Sequence, residues 1–225
     1  MVSVRGELYE KPQVKKSKSK DFSVSFSNRR LSILLLLTFL AGCSIKPKTP
    51  PPEPVMAPAQ RQQQLAAMQQ FTVQASMGLK SPAESVSGNL RWQQFNNADY
   101  QARLANMLGI SLFELRQQAD LTELLVRGER YQAADASSLL WQLAGWSIPL
   151  HDMALWLRGL PGDSATELEY DNAGRLISFT LTDSTGIRWQ LSYRSFFNDA
   201  LSLPKQLQLE SDDTQIRLVI RSWQP

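Results

Sequence analysis

The sequence predicts a mainly β domain: one antiparallel sheet with a single apolar face, covered by short helices. From Phe71 onward, apolar residues recur with a period of two over many short runs. Clusters of turn-forming residues, "NNAD", "NMLG", "QQAD", "DNAG" and "DSTG", separate these runs, as expected for strands joined by tight connections. Only "DASSLLWQLAGWSIPLHDMALWLRGLPGD" switches to helical spacing. No repeat of fixed period is visible, which argues against a propeller or a solenoid.

The chain has 225 residues, 43% of them apolar, enough for one sizeable core. Its net charge of +3 suggests an anionic partner until the charges are located. Of 24 basic and 21 acidic residues, eight and three precede Cys43, leaving 16 against 18 in the remainder. The excess basicity therefore belongs to the leader, and no nucleic-acid partner is expected.

That leader places Arg29 and Arg30 before an apolar run from Leu31 to Leu40, then Ala41, Gly42 and Cys43. About a dozen apolar residues cannot span a bilayer, and these flanks fit an export signal over residues 1–42 that is removed. "LAGC" resembles the lipobox of bacterial lipoproteins. The resemblance implies that Cys43 receives a diacylglyceryl group and becomes the mature N-terminus. As the only cysteine, Cys43 can form no internal disulfide. Ser44, in place of Asp, implies by the same resemblance sorting to the outer membrane of a Gram-negative envelope. Residues 43–60 then read as a lipidated end and a proline-rich tether, since "KPKTPPPEPVMAPAQ" favours polyproline II and cannot build a core.

The domain is expected over 61–225. "RQQQLAAMQQ" spaces Leu65 and Met68 as a short amphipathic helix. The period-two runs follow: Phe71 to Leu79, Val86 to Trp92, Tyr100 to Leu104, Phe113 to Leu115, one run from Leu121 to Tyr131, Leu176 to Thr182, Ile187 to Phe196, Lys205 to Ser211, and Gln215 to Trp223. Between them, Asp135 is placed as an N-cap for a helix carrying Leu139, Leu140 and Leu143 on one face and stopping near Gly145. A second helix after Pro149 carries Met153, Trp156 and Leu157 and ends at Gly159. With so much sheet, these helices must cover its apolar face or plug the opening of a curved sheet.

Six tryptophans, Trp92, Trp141, Trp146, Trp156, Trp189 and Trp223, bring broad rings to the interior, with Met77, Met107 and Met153 as adaptable neighbours. Both a filled tryptophan-rich core and a cavity for apolar ligands fit that composition. Catalysis has little support. His151 is the only histidine, has no cysteine partner in the mature domain, and lacks a "GxSxG" context. Asp212 and Asp213 fit a solvated turn, and Glu167, Glu169 and Asp171 the water-facing side of a strand. No catalytic residue, metal site or cofactor is expected, and the protein is not expected to be an enzyme.

The lipobox, the β-rich domain, "NMLG" and "GWSIPLHDMALWLRGLPGD" together resemble the LolB family of outer-membrane lipoprotein receptors. The likeness is most specific at "IPL", Ile148 to Leu150, and "WLRGLPG", Trp156 to Gly162. It implies an incomplete, strongly curved antiparallel β-barrel capped by helices around an apolar cavity that holds acyl chains. The partners implied are a LolA-like periplasmic lipoprotein carrier, acylated lipoprotein cargo and outer-membrane lipid, with the protein acting as a monomer on the periplasmic face. Alternation and the resemblance together assign Leu90, Trp92, Phe113, Leu115, Trp146, Ile148, Leu150, Trp156, Phe179, Leu181, Trp189, Tyr193, Leu209 and Leu218 to the cavity or its lid. "GLPGD" is expected to be a turn joining helix to strand. In "ANMLGIS", Met107 and Leu108 occupy a hairpin tip that cannot bury both, and the resemblance places Leu108 at a membrane-contacting apex. Two other classes remain compatible with the residues: an envelope scaffold with a filled interior, and a lipid-modifying hydrolase with a nucleophile and base inside the cavity.

Overall fold

A computed structural model describes residues 56–225 except 83 and 147. The leader, Cys43 and the tether up to residue 55 lie outside the described residues. Helix α1 spans Pro58–Ala67, three residues ahead of the expected domain start; a proline in the first helical turn needs no N–H there and is already at a helical φ.

Eleven strands follow: β1 Phe71–Lys80, β2 Ser85–Gln94, β3 Tyr100–Ala105, β4 Ser111–Gln118, β5 Leu121–Val126, β6 Glu129–Ala133, β7 Thr166–Tyr170, β8 Leu176–Thr182, β9 Arg188–Phe196, β10 Pro204–Glu210 and β11 Gln215–Gln224. They form one sheet in the order β6-β5-β4-β3-β2-β1-β11-β10-β9-β8-β7. Two meanders are thus joined where the first strand pairs antiparallel with the last, and among the described residues β6 and β7 are the edges. The sheet is an open barrel.

Period-two burial follows from the register. Val73 sits between Trp92 and Trp223, and Met77 between Gly88 and Leu218. Ala102 faces Leu115 and Leu104 faces Phe113; on the other wing Phe179 faces Leu191 and Leu181 faces Trp189. The run from Leu121 to Tyr131 is two strands and not one. Arg127 and Gly128 turn the chain at φ 53° and 82°, a pair of positive values that fits a tight hairpin. Strand β7 also departs from expectation. A register shift lies between Thr166 and Glu169, all five of its residues are exposed, and Asp171 falls beyond its end, paired with Arg175 at 2.6 Å.

The segment between the two edge strands supplies the cover. Helix α2 spans Ala136–Ala144, with the Asp135 carboxylate accepting from the Ser138 amide at 2.7 Å and the Ser137 amide at 3.4 Å, and Gly145 at its C-cap. Leu139 and Leu140 are buried, but Leu143 and Trp141 are exposed, contrary to the expected buried face and interior ring. Helix α3, Met153–Leu157, buries Met153, Trp156 and Leu157. Its end is fixed by Arg158, whose Nη1 donates to the carbonyls of Leu65, Ala66 and Met68 at 2.7–3.3 Å and whose Nε donates to Ala154 at 3.0 Å. Burial lowers the pKa of this guanidinium, yet every one of these contacts binds its charged form. Arg158 ties α3 to the end of α1.

Candidate functional site

The sheet and its cover meet around an apolar cavity of about 30 Å³. Met77, Leu90, Trp92, Ala102, Phe113, Leu115, Ile216 and Leu218 come from β1, β2, β3, β4 and β11; Leu140, Ile148, Leu150, Met153 and Leu157 close it from α2, α3 and their connection. Trp92 turns its one polar group away, donating Nε1–H to Gln94 Oε1 at 2.8 Å, and stacks on Tyr100 at 4.3 Å. A volume near that of one water cannot hold an acyl chain, so occupancy requires the cover to move. Arg158 fixes α3. The connection before it is held by Trp146 Nε1 on Glu84 Oε1 at 2.8 Å, the Trp146 amide on the Leu140 carbonyl at 3.3 Å and the Leu150 amide on Ser137 Oγ at 3.2 Å.

Two larger clefts adjoin this cavity. One, of about 490 Å³, shares Phe113 and Leu140 with it and is also lined by Trp146, Leu143, Leu112 and Arg127. The other, of about 460 Å³, shares Ile148 with it and adds Trp156 and Leu181 to a rim of hydroxyls and carboxylates that includes Ser138, Asp152, Ser164 and Thr185. Burial raises the Asp152 pKa; Asp163 adds to that rise and His151 opposes it. Gly162 permits the close approach of this carboxylate, since a Cβ there would overlap it. "GLPGD" therefore also shapes the cleft.

All fourteen residues assigned to cavity or lid are buried. Leu90, Trp92, Phe113, Leu115, Ile148, Leu150 and Leu218 meet in the cavity, and Trp146, Trp156 and Leu181 line the adjoining clefts. Phe179, Trp189, Tyr193 and Leu209 line neither the cavity nor these two clefts. Leu209 pairs with Leu191 and Ile216, and Trp189 Nε1 donates to Asp183 at 3.0 Å. Burial pushes the Tyr193 hydroxyl well above its ordinary pKa, so it stays protonated and donates to the Trp156 carbonyl at 2.9 Å. Met77, Ala102, Leu140, Met153, Leu157 and Ile216 also line the cavity and had no place in that assignment. The signal was period-two position for Met77, Ala102 and Ile216, and helical spacing for Leu140, Met153 and Leu157.

At the β3–β4 tip, Met107 and Leu108 are 84% and 83% exposed, and Ile110, which sequence reasoning missed, is 60% exposed. Asn106 builds this loop. Its Oδ1 accepts from the amides of Leu108 and Ile110, its N–H donates to the Ile110 carbonyl and its carbonyl accepts from the Gly109 amide. Gly109 turns at φ 81°, which suits a residue without a Cβ. With the backbone satisfied locally, the apolar side chains are left facing solvent. Register sets this tip beside the β1–β2 and β5–β6 turns along one rim of the sheet.

An open antiparallel barrel with a helical cover and an apolar cavity between them defines the class of domain. A LolA superfamily protein from Nitrosomonas europaea shares this fold at a TM-score of 0.50, with 8% identity, over 76% of this chain and 94% of that one. The model of the family described as outer membrane lipoprotein LolB matches residues 69–223. The outer-membrane lipoprotein LolB of Yersinia pestis is 33% identical over 190 residues, 82% of this chain and 90% of that protein. Its counterpart in Shewanella baltica is 32% identical over 200 residues, covering 88% and 89%, and that in Tolumonas auensis 26% over 197 residues, covering 87% and 96%. The chain belongs to the LolB family of outer-membrane lipoproteins.

Proposed function

We propose that this protein is a lipid-anchored receptor that accepts acylated lipoproteins from a LolA-like periplasmic carrier and inserts them into the outer membrane. Cys43 carries the anchor, the tether gives the domain reach, the apolar cavity receives acyl chain, and the Met107–Leu108 loop meets the bilayer during release. The observation that supports this reading most is the apolar cavity, walled by the sheet and closed by α2, α3 and their connection. Hydrophobic burial alone drives the relay. Each step hides acyl surface from water at least as well as the one before, at about 25 cal/mol per Å², so transfer needs no nucleotide if affinity rises along the path.

Titration of the protein with a fluorescent fatty-acyl probe tests the reading. Saturable one-site uptake, competed by an acylated lipoprotein and not by its unacylated form, is expected. Uptake that never saturates, or that competes equally with the unacylated form, would refute it.

A further inference from the structure

Five of the six tryptophans have their indole N–H accounted for. Trp92, Trp146, Trp189 and Trp223 donate to Gln94, Glu84, Asp183 and the Pro204 carbonyl, and Trp141 is exposed to water. Trp156 is the exception. It is 1% exposed, and its Nε1–H is buried with no acceptor among the described residues. Its carbonyl is taken by Tyr193 and its ring lies 6.0 Å from Phe179, so the side chain is held in place while its one donor goes unused. Buried donors in folded proteins are almost always paired, and an orphan in a well-packed position calls for a ligand or a second state.

Trp156 lines the polar-rimmed cleft, which meets the apolar cavity at Ile148. Apolar walls on one side of Ile148 and, on the other, a hydroxyl-rich rim beside Trp156 suit an amphiphile: hydrocarbon inward, carbonyl at the junction, polar group in the cleft. We propose that the Trp156 indole N–H is the recognition point for the carbonyl oxygen of a fatty-acyl group. The inference rests on the acyl-binding reading above and adds to it the part of the lipid that is read. In the closed state the donor is shut away. Moving the Ile148 connection, which uptake requires in any case, brings an acceptor to it, so the unpaired donor also favours the opened, occupied state.

A matched pair of lipids isolates the carbonyl: monopalmitoylglycerol, an ester, and hexadecylglycerol, the ether of the same chain length. Calorimetric titration of the wild-type protein is expected to favour the ester about tenfold, the value of one hydrogen bond to an otherwise unpaired buried donor. Trp156→Phe, which keeps a ring and removes the donor, brings the ester-to-ether ratio near one. In the wild type the Trp156 indole proton resonance moves downfield with the ester and not with the ether. Equal affinities in the wild type, or a preference that survives Trp156→Phe, would overturn the proposal while leaving acyl binding intact. Failure of both lipids to bind would overturn the acyl-binding reading itself. The wild-type comparison and the resonance decide the matter even if the variant fails to fold.

Discussion

The Asn106 side-chain oxygen accepts the amide proton of Leu108 at 2.9 Å, so the residue that turns the chain also fixes the one it presents. Holding Leu108 outward costs little further entropy on meeting a bilayer. Asn106→Ala is expected to lower stability by about 1 kcal/mol in urea titration. It should also slow cargo insertion into liposomes while leaving uptake from the carrier at its normal rate. Unchanged insertion would mean that the loop needs no preset shape.

Leu108→Glu tests the apex directly. Burying a leucine side chain in lipid is worth about 1.5–3 kcal/mol, and a carboxylate resists the same environment. The variant is expected to accept a lipoprotein and to fail in releasing it to liposomes, measured by flotation. Because Leu108 is 83% exposed, its thermal midpoint should match that of the wild type.

Arg158→Met removes the tie between α3 and α1. It strands the carbonyls of Leu65, Ala66 and Met68, and a loss of about 3 kcal/mol is expected from the urea midpoint at constant slope. The variant should also be cleaved faster between α1 and β1 by a protease added in trace amounts.

Asp135 gives α2 a pH dependence. Burial acts to raise its pKa. The Ser138 hydroxyl and the Ser138 and Ser137 amides outweigh that, with His151 adding to them, and the carboxyl ends below its ordinary value of 3.8. A lowered folded-state pKa means that the cap stabilises fully above that ordinary value and is lost as pH falls through the folded one. Asp135→Ala is therefore expected to cost about 1 kcal/mol at pH 7. The gap to the wild type should narrow as urea titrations are repeated below pH 4.

Most strands were legible because one face of the sheet is buried, which stamps period two on the chain. Helix α2 was legible at its ends, where Asp135 and Gly145 act locally, and less so in its face, where Trp141 and Leu143 proved exposed. The Arg127–Gly128 turn was hidden because it lacks the Asn-Gly signature of tight hairpins. The pairing of β1 with β11 was not legible, since nothing local joins residues at opposite ends of a domain. Of the cavity, large residues such as Trp92 and Leu218 were found from alternation, whereas Ala102 lines it by being small. The unpaired Trp156 donor could not be read from sequence, because an absent partner is a property of the packed structure alone.

In the proposed relay, acyl chains pass through this domain on their way to the membrane. Loading a LolA-like carrier with a radiolabelled lipoprotein, adding the protein, and separating the two tests it most directly. The acylated lipoprotein is expected to move to this protein in near-stoichiometric amount without nucleotide, and an unacylated form of the same cargo to stay behind. Cargo that remains on the carrier, or that moves equally well without its acyl chains, would refute the relay.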